Sequence, residues 1–71
     1  MNKPLLRSIM ALNSDTNNSL AKHLGIAPLT ISLKINNKGA EFTQSEIMSI
    51  AKKYNLTAEQ VNQIFFVEKV S

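Results

Sequence analysis

Few side chains in this sequence suit acid–base or metal chemistry, and they are scattered. His23 is the single histidine, cysteine is absent, and Asp15 and Glu46 occur where a carboxylate is expected to cap a helix. A catalytic site needs a nucleophile with its base, or a phosphate-binding loop, and the sequence contains no such pattern. We therefore predict that the protein is not an enzyme and uses no metal or cofactor.

The basic residues are the second group with a chemical use, because they attract polyanions. The net charge is +3. Residues 1–39 contain five basic residues against one acidic residue, whereas residues 40–71 contain three basic and four acidic residues. The distribution favours an anionic partner for the first half, although a charge of this size does not identify one.

Helix signals in the first half predict three short helices that must position these residues. Pro4 suits a first helical turn, Asp15 and Thr16 suit the N-terminus of a second helix, and Pro28 can begin a third. Gly25 suits the left-handed position after the second helix. The third helix should end within residues 36–39. Apolar residues recur at helical spacing in all three: Leu5, Leu6, Ile9, Met10 and Leu12; Leu20, Ala21 and Leu24; Ile31 and Ile35.

Two capping boxes predict helices four and five. Thr43 with Glu46 and Thr57 with Gln60 have the required spacing of three residues. We therefore expect one all-α, five-helix domain over residues 1–71. The absence of cysteine and the shortness of the apolar runs predict a cytoplasmic protein without membrane association.

Residues 16–38 contain two predicted helices joined by a glycine-bearing turn, which is the helix-turn-helix pattern. Ala21 is small where the helices must approach, Gly25 permits the sharp turn, and Ile26 and Ile31 fill the angle. In this motif the second helix enters the DNA major groove while the first braces it. An ordinary helical hairpin is the alternative.

Three further segments carry a resemblance to a known family. They are SLKINNK at 32–38, FTQSEI at 42–47, and YNLT at 54–57 followed by IFF at 64–66. Together with the 16–38 pattern they resemble the lambda-repressor-like or Xre domains, specifically the short Cro-like and repressor-like proteins of temperate phages of Gram-positive bacteria. The resemblance covers nearly the whole chain and implies a five-helix fold whose third helix binds operator DNA.

The resemblance also implies which residues contact DNA. The residues that match phosphate contacts of the family are Asn17, Thr30, Asn36 and Lys38. The residues that match its base readers are Pro28, Leu29, Ser32 and Leu33, with Lys34 beside them. Many relatives have Gln, Ser or Arg at such positions, whereas proline and leucine can only pack on thymine methyl groups.

The apolar residues at these positions leave two other interpretations open. Pro28, Leu29 and Leu33 could form a protein interface, since an exposed apolar strip without a partner is a liability. Alternatively, Leu29 or Leu33 turns inward and fills the core. Phe66 and Val70 pose a similar choice, between a homodimer contact and a cover for the core of the same chain.

Two functions follow from the resemblance and the apolar strip. The first is a Cro-like regulator that binds double-stranded operator DNA, as a dimer or cooperatively, in a phage lysis-lysogeny switch. The second is a modulator of repression, or antirepressor, that binds the neighbouring phage repressor and blocks its DNA binding. Both place the protein in the cytoplasm of a bacterial host, and a domain of this size is expected to lack the second module of an inducible repressor.

Overall fold

The structure is a computed structural model, and it describes residues 1–66. This part of the chain contains five α-helices and no β-strand. The helices are α1 (Lys3–Leu12), α2 (Asn17–Leu24), α3 (Pro28–Ile35), α4 (Gln44–Lys53) and α5 (Ala58–Phe65). The all-α prediction and the number of helices are confirmed for this part of the chain. No helix within it combines the length and hydropathy that crossing a membrane requires.

Side-chain caps mark the starts of α1, α2, α4 and α5, whereas α3 begins at Pro28 without one. Both predicted capping boxes are present: the Thr43 amide donates to Glu46 Oε1 at 2.8 Å, and the Thr57 amide donates to Gln60 Oε1 at 2.8 Å. Thr16 caps α2 as predicted, and its amide donates to Ser19 Oγ at 2.8 Å. Serine therefore completes a third capping box in place of the usual Glu or Gln.

One core, built from all five helices, holds the fold together. The fully or nearly fully buried side chains come from every helix: Leu6, Met10, Leu20, Ala21, Ile31, Ile35, Ile50 and Ile64. The predicted apolar stripe of α1 is wrong at its last residue, because Leu12 is 82% exposed. All five residues of the predicted stripe are apolar, but Leu12 lies two residues beyond Met10 and is therefore rotated about 200° around the helix from it. Helix α1 therefore contributes only one of its faces to the core.

Helix α2 packs most closely against α3, while α5 contacts α1 and α4. Ala21 is completely buried, and its small side chain permits close approach of the two short helices. The orientation of the α2–α3 pair depends on the turn between the helices and on polar contacts to α1 and α4.

Candidate functional site

The turn between α2 and α3 sets the direction of α3. Gly25 has a φ of 72°, in the left-handed region that glycine adopts without steric penalty. Its amide donates to the Lys22 carbonyl at 3.2 Å, and the Ile26 amide donates to the Ala21 carbonyl at 3.0 Å. These two bonds are the Schellman arrangement, which ends α2 and redirects the chain toward Pro28. The predicted role of Gly25 is confirmed.

The outer side of α3 is formed by Pro28, Leu29, Ser32 and Leu33, which we call the α3 face. Leu29 is 72% exposed and Leu33 is 38% exposed, so neither fills the core. Pro28 is also exposed, and Ser32 is half-buried. Ile31 and Ile35 are buried as predicted, on the side of α3 away from the two leucines. The residues that match the family's base readers therefore share one accessible and mainly apolar surface.

Lys34, the only charged residue of α3, is engaged inside the protein. Its Nζ lies 2.5 Å from Glu46 Oε1, and the two side chains are only 11% and 13% exposed. Nζ also lies 5.9 Å from the centroid of the Phe42 ring, within range of a cation–π interaction. A DNA contact by Lys34 would require this ion pair to open.

Burial and these neighbours act in opposite directions on the pKa of Glu46. Burial opposes ionisation of its carboxyl, but hydrogen bonds from Lys34 and from the Thr43 amide outweigh that penalty, so the pKa of Glu46 is lowered from its ordinary value. Glu46 is therefore ionised at neutral pH and neutralises the lysine of α3.

Asn36 is also held by the protein. Its Oδ1 accepts a hydrogen bond from Lys3 Nζ, and its Nδ2 donates to the Ser32 carbonyl at 2.9 Å. The first contact joins the start of α1 to the end of α3. Asn36 thus has a structural role in addition to the phosphate contact implied by the resemblance.

Asn17 and Arg7 line a common groove of about 240 Å³ at the start of α2. The resemblance singled out Asn17, which is half-buried, but not Arg7, which is exposed on α1. The Asp15 carboxylate lines the same groove and opposes an anion inside it, but it is paired with Lys53. A cation beside a helix N-terminus favours an anion, so exposed Arg7 joins the candidate phosphate contacts. Only its charge signalled this in the sequence, because its position depends on how α1 packs against α2.

Two further exposed cations lie on α2 and just after the end of α3. Lys22 and Lys38 are exposed, and Thr30 is half-buried. Among residues 1–66, no carboxylate lies within ion-pair distance of Arg7, Lys22 or Lys38. The resemblance implies DNA contacts for two lysines, and of these Lys38 is accessible whereas Lys34 is not.

The start of α2 is fixed by Asp15. Its carboxylate accepts hydrogen bonds from Tyr54 Oη at 2.7 Å and from Ser19 Oγ at 2.8 Å, and Lys53 Nζ lies 3.4 Å away. The Tyr54 bond is the main reason that the pKa of Asp15 is lowered, followed by the Ser19 bond. Asp15 therefore connects α2 to the end of α4 in addition to its expected role near the cap.

A second surface, in which apolar and polar side chains are mixed, lies where α5 ends. The rings of Phe42 and Phe65 meet edge to face with centroids 5.6 Å apart, beside a groove of about 260 Å³ that Met1 and Phe66 also line. Phe66 is 57% exposed, so it does not cover the core. Val70, its predicted companion, lies outside the described residues. The homodimer contact stays a prediction.

Residue types that bind metals are scattered in the part of the chain that the structure describes. His23 is exposed, with Nε2 3.3 Å from Ser49 Oγ. Within residues 1–66 no three His, Asp or Glu side chains are grouped so that they could hold a metal ion.

No model of a known protein family, no curated protein and no solved structure matches this chain.

Proposed function

We propose that α2 and α3 form a helix-turn-helix and that the chain is a Cro-like regulator of a phage lysis-lysogeny switch, acting in the bacterial cytoplasm. It binds operator DNA by inserting the α3 face into the major groove and thereby excludes polymerase. The observation that carries the proposal is that α3 is accessible along this face while α2 braces it across the Gly25 turn. The chain acts as a binding protein and not as an enzyme.

Charge supports a nucleic-acid partner. Exposed Arg7, Lys22 and Lys38 belong to the half of the chain that contains α1, α2 and α3, and the whole chain carries +3. Cations that reach phosphates release counterions, so binding should weaken steeply as salt rises. Arg7 and Asn17 would position the protein on the backbone, while Leu29 and Ser32 would contact base edges, the leucine through thymine methyl groups.

Affinity requires a second copy or a cooperating protein. One recognition helix reads one half-site, and dimers bind half-sites about one helical turn of DNA apart. We therefore propose that the operator contains paired half-sites.

The test is fluorescence anisotropy with labelled duplex DNA from the chain's own promoter region, at several salt concentrations. We expect saturable binding, with competition by unlabelled promoter DNA stronger than by unrelated DNA. The slope of log K against log salt is negative, and Lys38→Ala should reduce its magnitude by about 0.9, the value for one phosphate contact. Absence of binding by the wild type at low salt would contradict the proposal.

A second function is favoured by one specific observation, the exposure of Leu29. Moving a leucine side chain from water into a fully buried environment contributes about 1.5–3 kcal/mol. Docking of a protein partner over Leu29 would therefore be favourable. Under this proposal the α3 face docks on the neighbouring phage repressor and blocks its DNA binding, as an antirepressor does.

Two leucines separate these functions. Leu29→Gln should abolish binding to the repressor in a pull-down or calorimetric titration, but should leave much of the phosphate-driven DNA affinity. Leu12→Gln is the matched control, because Leu12 is at least as accessible, at 82% against 72% for Leu29, and lies on α1. If Leu29→Gln and Leu12→Gln have the same effect on both partners, the α3 face is not the site of either interaction.

A further inference from the structure

The ion pair between Lys34 and Glu46 joins α3 to the first turn of α4. Glu46 Oε1 accepts from Lys34 Nζ at 2.5 Å and from the Thr43 amide at 2.8 Å, so one oxygen both pairs the lysine and caps α4. A pair with side chains this little exposed is screened less by salt than one on the open surface.

We propose that Glu46 is a positioning residue that holds Lys34 on the α4 side of α3 and so withholds it from anionic ligands that bind along α3. The proposal rests on the DNA-binding function proposed above and specifies how α3 contributes to it. With Lys34 neutralised, α3 presents no net charge, and the electrostatic attraction comes from the flanking cations. Contacts along α3 are then made by Ser32 and the apolar side chains, which favours sequence readout over general attraction to phosphates.

Opening the pair at a DNA surface is unfavourable for two reasons. Lys34 would give up a contact in which it is already desolvated, and Glu46 would be left as an unpaired carboxylate close to phosphates. Lys34 should therefore contribute little to DNA binding while Glu46 is present, and should become a phosphate contact once Glu46 is neutral.

Glu46→Gln removes the charge without removing the cap. A glutamine Oε1 can accept from the amide of the capping threonine, and the chain itself contains this arrangement, in which the Thr57 amide donates to Gln60 Oε1 at 2.8 Å. The variant should therefore fold. Glu59→Gln is the charge-matched control, because Glu59 is exposed in the first turn of α5.

The first experiment is a double-mutant cycle over Lys34→Ala and Glu46→Gln. Affinity for the promoter duplex and its salt slope are measured by anisotropy. We expect Glu46→Gln to tighten binding severalfold and to steepen the slope by about 0.9. Lys34→Ala alone should leave the salt slope nearly unchanged and weaken binding only through the unpaired charge of Glu46, but it should cancel the gain in the double variant. The proposal is overturned if Lys34→Ala alone lowers the slope by that amount, or if the gain persists without Lys34 or appears equally in Glu59→Gln.

The second experiment does not depend on DNA. Lysines are acetylated with limiting acetic anhydride, and the rate at each lysine is read by peptide mass spectrometry. In the wild type Lys34 should react several times more slowly than exposed Lys38, and in Glu46→Gln its rate should approach that of Lys38. Equal rates in the wild type would overturn the proposal. If no variant binds DNA but the rates differ as expected, the proposed function fails while the control of Lys34 by Glu46 holds.

Discussion

Tyr54 Oη donates a hydrogen bond of 2.7 Å to Asp15 Oδ2, and this bond joins the end of α4 to the residue before the cap of α2. The same carboxylate accepts from Ser19 Oγ inside α2. The start of α2 is therefore anchored to α4 through one acidic side chain. Since α2 braces α3, the bond contributes to the orientation of the α3 face.

Tyr54→Phe tests this anchor. The variant keeps the ring but leaves Asp15 without its shortest contact, and we expect the free energy of unfolding to fall by about 1 kcal/mol, the usual net value of one hydrogen bond. Urea unfolding followed by circular dichroism provides the measurement. In a background of Asp15→Asn the loss should shrink. A loss of the same size in both backgrounds would show that the two residues are not coupled.

Alkaline pH provides an independent test of the same contact. Burial raises the pKa of Tyr54, and the hydrogen bond to Asp15 and the charge of that carboxylate raise it further. A group whose pKa is raised by folding stabilises the fold below its unfolded value, about 10 for tyrosine, and loses that contribution as the pH rises above it. Tyr54 is the only tyrosine, so phenolate absorbance reports on it alone. A titration at the ordinary value in the folded protein would contradict the contact.

Acid pH should destabilise the protein through Asp15 and Glu46. Hydrogen bonds lower the pKa of both carboxyls, in Glu46 against the opposing effect of burial. Such groups stabilise the fold above their unfolded values, about 4, and lose this contribution as the pH falls through the folded values. We expect the free energy of unfolding to decline below that pH, and to decline less in the variant with Asp15→Asn and Glu46→Gln. Identical acid limbs for the variant and the wild type would refute this assignment.

Local signals allowed the helix starts to be predicted, whereas contacts between distant residues could not be. A capping box such as Thr43 with Glu46 depends on residues three apart, and its geometry follows from the helix itself. That Glu46 also pairs Lys34 depends on how α3 packs against α4, which no short-range pattern encodes. The same holds for Asp15 with Tyr54, 39 residues apart.

The α3 face shows the same division. Helical spacing correctly set Ile31 and Ile35 inside, but it did not decide between core and surface for Leu29 and Leu33, because leucine is common in both settings. Packing decides it, and both are exposed. The resemblance implies a DNA contact for Lys34, but its pairing with Glu46 depends on how α4 packs against α3.

Substitutions at Gly25 test the turn that directs α3. A residue with a side chain is strained in the left-handed region, by about 1–2 kcal/mol. Asparagine tolerates that region, and Asn37 and Asn55 adopt it in this chain with φ of 54° and 55°. We expect the loss of stability in urea to increase in the order Gly25→Asn, Gly25→Ala, Gly25→Val. Equal losses for Asn and Val would mean that the left-handed conformation is not what Gly25 supplies.

The most direct test of DNA binding through α3 is an NMR titration of the ¹⁵N-labelled protein with its promoter duplex. The account predicts that amide shifts concentrate in α3 and at the start of α2, with Leu29, Ser32 and Asn17 among the most affected, and that added salt reverses them. Shifts confined to α5, or none at low salt, would contradict it.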